Sequence, residues 1–69
     1  MNKSAELISF ERTEFDFYSI RIDGKLIQAT IDKKPNGKFG IYDLKEHCYF
    51  GVENGSLKDC KKFIEELYY

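Results

Sequence analysis

The first fifty residues alternate apolar with polar positions, and the last dozen carry an apolar stripe at helical spacing. Leu7 to Arg12 reads Leu-Ile-Ser-Phe-Glu-Arg, which sets Ile8 and Phe10 on one face of a half-buried strand over 7–12. A turn is predicted at Thr13-Glu14, followed by a second strand over 15–22. Asp23-Gly24 then supplies the dipeptide of a type I′ hairpin turn, whose two central residues both take positive φ, and a third strand returns over 25–33. That loop sets Ile22 opposite Lys25, Ile20 opposite Ile27, Tyr18 opposite Ala29 and Asp16 opposite Ile31. Tyr18, Ile20, Ile22, Ile27, Ala29 and Ile31 gather on one face. Phe17, Ser19, Arg21, Leu26, Gln28, Thr30 and Asp32 take the other, so turn chemistry and binary pattern agree.

Lys34-Pro35-Asn36-Gly37 ends the third strand, and a fourth runs over 38–44. A two-residue Asn36-Gly37 loop would place Gly40, Tyr42 and Leu44 on the core face; a three-residue loop would place Phe39, Ile41 and Asp43 there. The first buries no carboxylate and is preferred. Lys45-Glu46 leads into a fifth strand over 47–52, whose facing the pattern leaves open. Asn54-Gly55 then ends the sheet. Ser56-Leu57-Lys58-Asp59 matches a capping box, and Leu57, Cys60, Phe63, Ile64 and Leu67 draw one apolar face of a helix over 57–68. The predicted fold is α+β: a four- to five-stranded antiparallel meander with one C-terminal helix packed across the Tyr18, Ile20, Ile27 and Ile31 face.

Composition narrows the function classes. The 69 residues make a single small domain, in which a deep catalytic cleft would compete with the core, so a non-enzymatic role is expected. Eleven Lys and Arg against twelve Asp and Glu give a net charge of −1, without the basic surplus of a dedicated nucleic-acid binder. Only the middle third is basic. No signal peptide or membrane-length apolar run is found, so a cytoplasmic chain with no membrane partner is expected, and its Cys48 and Cys60 should stay reduced. Lys, Ile, Phe, Tyr and Asn are abundant and Lys outnumbers Arg nine to two, the bias of AT-rich codons. That hints at an AT-rich bacterium or one of its mobile elements.

Chemistry-bearing constellations are sparse. His47, Cys48 and Cys60 are too few for the usual four-ligand zinc site, and His47 and Cys48 as strand neighbours would point apart, so neither metal nor nucleophilic catalysis is expected. The glycines fall in turns rather than in a phosphate loop, and no cofactor is expected. Two surfaces remain. Phe15, Phe17, Leu26, Phe39 and Ile41 are expected on the sheet face the helix leaves open, where they would form a protein-binding patch. Tyr68-Tyr69 would add an exposed aromatic pair at the chain end. Lys33, Lys34 and Lys38 surround the Pro-Asn-Gly tip, a basic hairpin with neighbouring aromatics that is the alternative, nucleic-acid-binding surface.

Strands followed by the Ser56 to Ile64 helix are similar, in element order and over the last 50 or so residues, to small DNA-binding modules at the front of some phage-type integrases. Those modules are basic and often carry a Trp on the sheet. Neither holds here, and no family is assigned. The leading expectation is a module that binds another protein, in the manner of a phage- or mobile-element-encoded inhibitor of a host or defence protein such as a CRISPR-type one. A homodimer through an edge strand or the open face is compatible with either surface.

Overall fold

Residues in the left-handed region mark the turns. Asp16 (φ 70°), Asp23 (53°) with Gly24 (85°), Gly37 (85°) and His47 (59°) each fall between two strands, and Asp is among the residue types that tolerate this conformation best. The structure, a computed structural model, describes residues 5–14 and 16–69. Between the turns run β1 (Ile8–Glu14), β2 (Phe17–Ile22), β3 (Lys25–Lys33), β4 (Phe39–Asp43) and β5 (Cys48–Gly55), followed by α1 (Leu57–Tyr68). The strands pair antiparallel in the order β1-β2-β3-β4-β5, so the sheet is the expected meander.

Three details differ from the sequence pattern. Thr13 and Glu14 do not turn: they extend β1, with a bulge between Arg12 and Glu14. The turn falls later, where Asp16 takes the positive φ. The β2–β3 hairpin starts as the type I′ turn dictates, with Ile22 opposite Lys25 and Arg21 opposite Leu26, and then slips, so that Tyr18 faces Ile31 and Ser19 faces Thr30. A slip of two residues preserves side-chain parity, so the facing of both strands is unchanged.

The third difference has larger consequences. Lys33 pairs with Phe39, and Lys34 N donates to Lys38 O, which leaves Pro35, Asn36 and Gly37 as a three-residue loop. Within it only Gly37 takes positive φ, the arrangement of a type I turn closed by a left-handed residue, and Pro35 is suited to the first central position. A type I′ turn would need positive φ at Asn36 as well. The extra residue reverses β4: Ile41 faces the helix, and Gly40 and Tyr42 face away, the opposite of the expected facing. Asp43 buries no unpaired carboxylate there, because its Oδ1 accepts from Lys45 N (2.8 Å) and Glu46 N (3.1 Å) in the following turn.

Ile20, Ile31, Ile41, Cys60 and Ile64 are fully buried, with Ile8 and Ala29 nearly so. Phe10, Tyr18, Ile22, Ile27, Phe39, Phe50, Val52, Leu57, Phe63 and Tyr68 pack around them. α1 thus covers the expected face, but it lies off-centre over β4 and β5. Its start is fixed by a capping box: Ser56 Oγ accepts from Asp59 N, and Ser56 N donates to Asp59 Oδ2, both at 3.1 Å. Its end crosses to the far edge of the sheet, where Ala5 N donates to Tyr68 O (3.1 Å) and Ile8 N to Tyr69 Oη (3.2 Å). The terminal tyrosines are therefore tied to the entry of β1 rather than displayed as a free pair.

Candidate interaction surface

Alternation along five paired strands lays out the open face in rows. Ser9, Arg21 and Leu26 form one row across β1 to β3. Glu11, Ser19, Thr30, Tyr42 and Tyr49 form the next across all five strands, and Phe17, Asp32 and Gly40 form a third. Its centre is aromatic and polar. Tyr42 and Tyr49 meet edge to face with ring centroids 5.0 Å apart, and Lys34 Nζ stands 4.3 Å from the Tyr49 ring centre. Gly40 makes room for this: a Cβ there would lie 2.8 Å from Tyr49 Cδ1 and 3.0 Å from Glu53 O. The tyrosine ring thus rests on bare backbone.

Thr30 is nearly buried in the middle of its row, and its hydroxyl donates to Asp32 Oδ1 at 2.9 Å. Partial burial raises the Asp32 carboxyl above the usual carboxylate value, with the Thr30 hydrogen bond opposing the shift. Tyr49 is raised too, first by burial and then by the negative charge of Asp32 and by Tyr42. On the row beside this centre, Arg21 Nε lies 3.7 Å from Glu11 Oε1 and its Nη1 donates to Gly24 O. Both partners are well exposed, so the pair contributes little to stability.

The apolar positions sit at the ends of the face. Phe17 is 37% exposed and Leu26 59% exposed, and the four residues from Phe17 to Arg21 on β2 separate their rows by about 13 Å. Leu7, which the pattern did not single out, is 62% exposed beside the Asp23-Gly24 turn, where Leu7 N donates to Asp23 Oδ1 and Leu7 O accepts from Asp23 N. Phe15 lies outside the described residues. Phe39 and Ile41 do not belong to this surface: the reversed β4 buries Ile41 completely and packs Phe39 on the core, 6.5 Å from the Tyr18 ring.

The three hairpin lysines do not converge. Lys33 falls on the helix side with Phe39 and pairs with Asp16 at 3.9 Å, Lys34 folds over Tyr49 on the open side, and Lys38 stands exposed opposite Lys34. Among the described residues, no three His, Cys, Asp or Glu side chains are grouped to hold a metal ion. The cysteines are far apart in character: Cys48 is exposed and Cys60 is buried on the inner face of α1, both as free thiols. Burial, helped by the Asp59 charge, pushes the Cys60 thiol up to about 11, so it stays protonated at neutral pH. His47 is a turn residue rather than part of β5.

The signal for the Tyr42–Tyr49 centre was present in the sequence as an aromatic on each of two neighbouring strands, but their facing depended on the length of one loop. No family model matches the chain, and no curated protein or solved structure matches it. No helix among the described residues is long and apolar enough to cross a membrane.

Proposed function

We propose that the chain is a non-enzymatic protein-binding module whose contact surface is the open face of the sheet. The observation that carries this is the pairing of an aromatic, polar centre at Tyr42 and Tyr49 with exposed apolar side chains at Phe17 and Leu26, on the face α1 leaves uncovered. Tyrosines that offer an apolar ring and a polar tip are characteristic of protein interfaces, and the mixed charges of Glu11, Arg21, Asp32 and Lys34 suit a protein partner better than a polyanion. Such a module acts by occupying a surface. A phage- or mobile-element-encoded inhibitor of a host or defence protein is the specific form we favour, supported by the AT-rich residue usage. The nucleic-acid reading is the weaker one, since Lys33 and Lys34 point to opposite sides of the sheet.

The test is affinity capture of the tagged chain from a lysate of its own host, with and without nuclease, alongside the Phe17→Ser/Leu26→Ser variant. A stoichiometric, nuclease-resistant partner lost in the variant is expected, with a stability cost under about 1 kcal/mol in thermal melts. Capture dominated by nucleic acid, or a partner retained in full by the variant, overturns the reading.

A further inference from the structure

The charges on α1 run against its dipole. Lys58, Lys61 and Lys62 occupy the first half of the helix, where the macrodipole disfavours cations, while Glu65 and Glu66 lie toward the end and no basic residue stands in the last turn. Lys58 and Lys62 are also like charges four residues apart, a mildly repulsive spacing. Asp59 is the only acid in the first turn, and it is engaged in the capping box. Lys61 and Lys62 stand four residues before Glu65 and Glu66, the weaker orientation of a favourable spacing, and among the described residues none of the three lysines has a carboxylate within 4.0 Å.

These residues line a shallow groove of about 730 Å³ with Leu57 and Glu65 along the flank of α1. Among the described residues its lining comes from α1 alone, and one side of it borders β1 and β2. Lys61 marks that side: its Nζ is 5.5 Å from the Phe10 ring centre on β1 and 5.7 Å from that of Tyr18 on β2. The groove therefore has an apolar component in Leu57 and the lysine stems and a rim of three ammonium groups, with Glu65 at its far end.

We propose that this flank docks a short acidic segment of a protein partner, a second contact surface separate from the open sheet face. Charge complementarity selects the occupant. Two or three carboxylates can meet Lys58, Lys61 and Lys62 while one apolar side chain covers Leu57. A nucleic-acid backbone continuing along the groove would run onto Glu65, and the net charge of −1 provides no wider basic track.

The test follows backbone amide resonances of the full chain while adding a synthetic peptide with leucines set between glutamates, the same peptide with glutamines for glutamates, and a DNA duplex. The acidic peptide is expected to shift residues 57–65 together with Phe10 and Tyr18, to bind more tightly than the duplex, and to lose its effect when its glutamates are replaced. Lys58→Glu/Lys62→Glu should weaken binding about tenfold or more, with the dispersed amide spectrum of the folded chain retained. Phe17→Ser/Leu26→Ser should leave peptide binding unchanged, which separates this surface from the open face. Tighter binding of DNA, shifts confined to other residues, or unchanged affinity in the charge-swap variant would each overturn the proposal.

Discussion

Ile31 and Ile41 stand opposite each other on β3 and β4 and are both fully buried; Thr30 and Tyr42, one position away on the same strands, also stand opposite each other and look the other way. The two faces of one sheet thus differ in kind. The covered face has an aliphatic centre in Ile20, Ile31 and Ile41, closed by Cys60 and Ile64 from α1 and ringed by half-buried aromatics, and it gains its stability from removing apolar area from water. The open face has its polar groups paired locally, Thr30 with Asp32 and Lys34 with Tyr49, and leaves its larger apolar groups at the margins. The contrast shows that a chain too short for two cores can assign one face to folding and leave the other out of the core.

Breaking the covered face should have the largest effect. Ile31→Ala removes a fully buried side chain beside Ile41 in the core and is expected to cost about 2–5 kcal/mol. A core of this size rarely supplies more than about 3–5 kcal/mol in all, so the variant should be largely unfolded by circular dichroism at room temperature. A cooperative melt near that of the parent chain would contradict the assignment of Ile31 to the core.

On the open face the corresponding break comes from adding rather than removing atoms. Gly40→Ala would press a methyl group into the Tyr49 ring and against Glu53 O, and the ring can move only by giving up its contacts with Tyr42 or Lys34. A loss of about 1–3 kcal/mol is expected in chemical denaturation, with the fold retained. Equal stability in the variant would mean that Tyr49 does not rest on the Gly40 backbone.

The same two faces explain what could be read from the residues and what could not. The meander, the helix, its cap and the facing of β2 and β3 follow from local signals, because Asp23-Gly24 fixes a turn and a bulge of two residues leaves parity intact. β4 failed on one residue of loop length. Asn36-Gly37 satisfies a two-residue turn as well as the end of a three-residue one, and the choice turned on Asp43, whose carboxylate is satisfied by backbone N–H groups that no pattern of apolar residues displays. Two facts within the sequence favoured the outcome: Pro35 suits the first position of a type I turn, and a glycine on the core face would have left Ile41 in water. The two-residue loop would therefore put Phe39 and Ile41 on the open surface and Tyr42 beneath the helix, the reverse of what the structure shows. The groove beside α1 is illegible for another reason, since it depends on how the helix seats on the sheet, which brings Lys61 beside Phe10 and Tyr18.

The smallest effect sharpens the comparison through its sign. Asp59, at the helix cap, is held below the usual carboxylate range by the Ser56 backbone N–H and then by the Ser56 hydroxyl. The stability it adds is present above its unfolded pKa and is lost as pH falls through the folded value. Asp32, on the open face, is shifted the other way by burial, so its contribution is full below the unfolded pKa and is lost as pH rises through the folded one. Asp32→Asn keeps an acceptor for the Thr30 hydroxyl and removes the charge. Its stability relative to the parent should therefore increase as pH rises through the acid range, to a plateau of about 0.5 kcal/mol or less because the carboxylate is largely solvated. The same substitution should lower the Tyr49 ionisation toward the ordinary tyrosine value, since the Asp32 charge is one of the causes that raise it. Denaturant melts across the acid range and an absorbance titration of tyrosinate read the two effects separately. A stability difference that shrinks with rising pH, or a Tyr49 titration that does not move, would place the Asp32 carboxylate away from the Tyr49 ring and remove the electrostatic link at the centre of the open face.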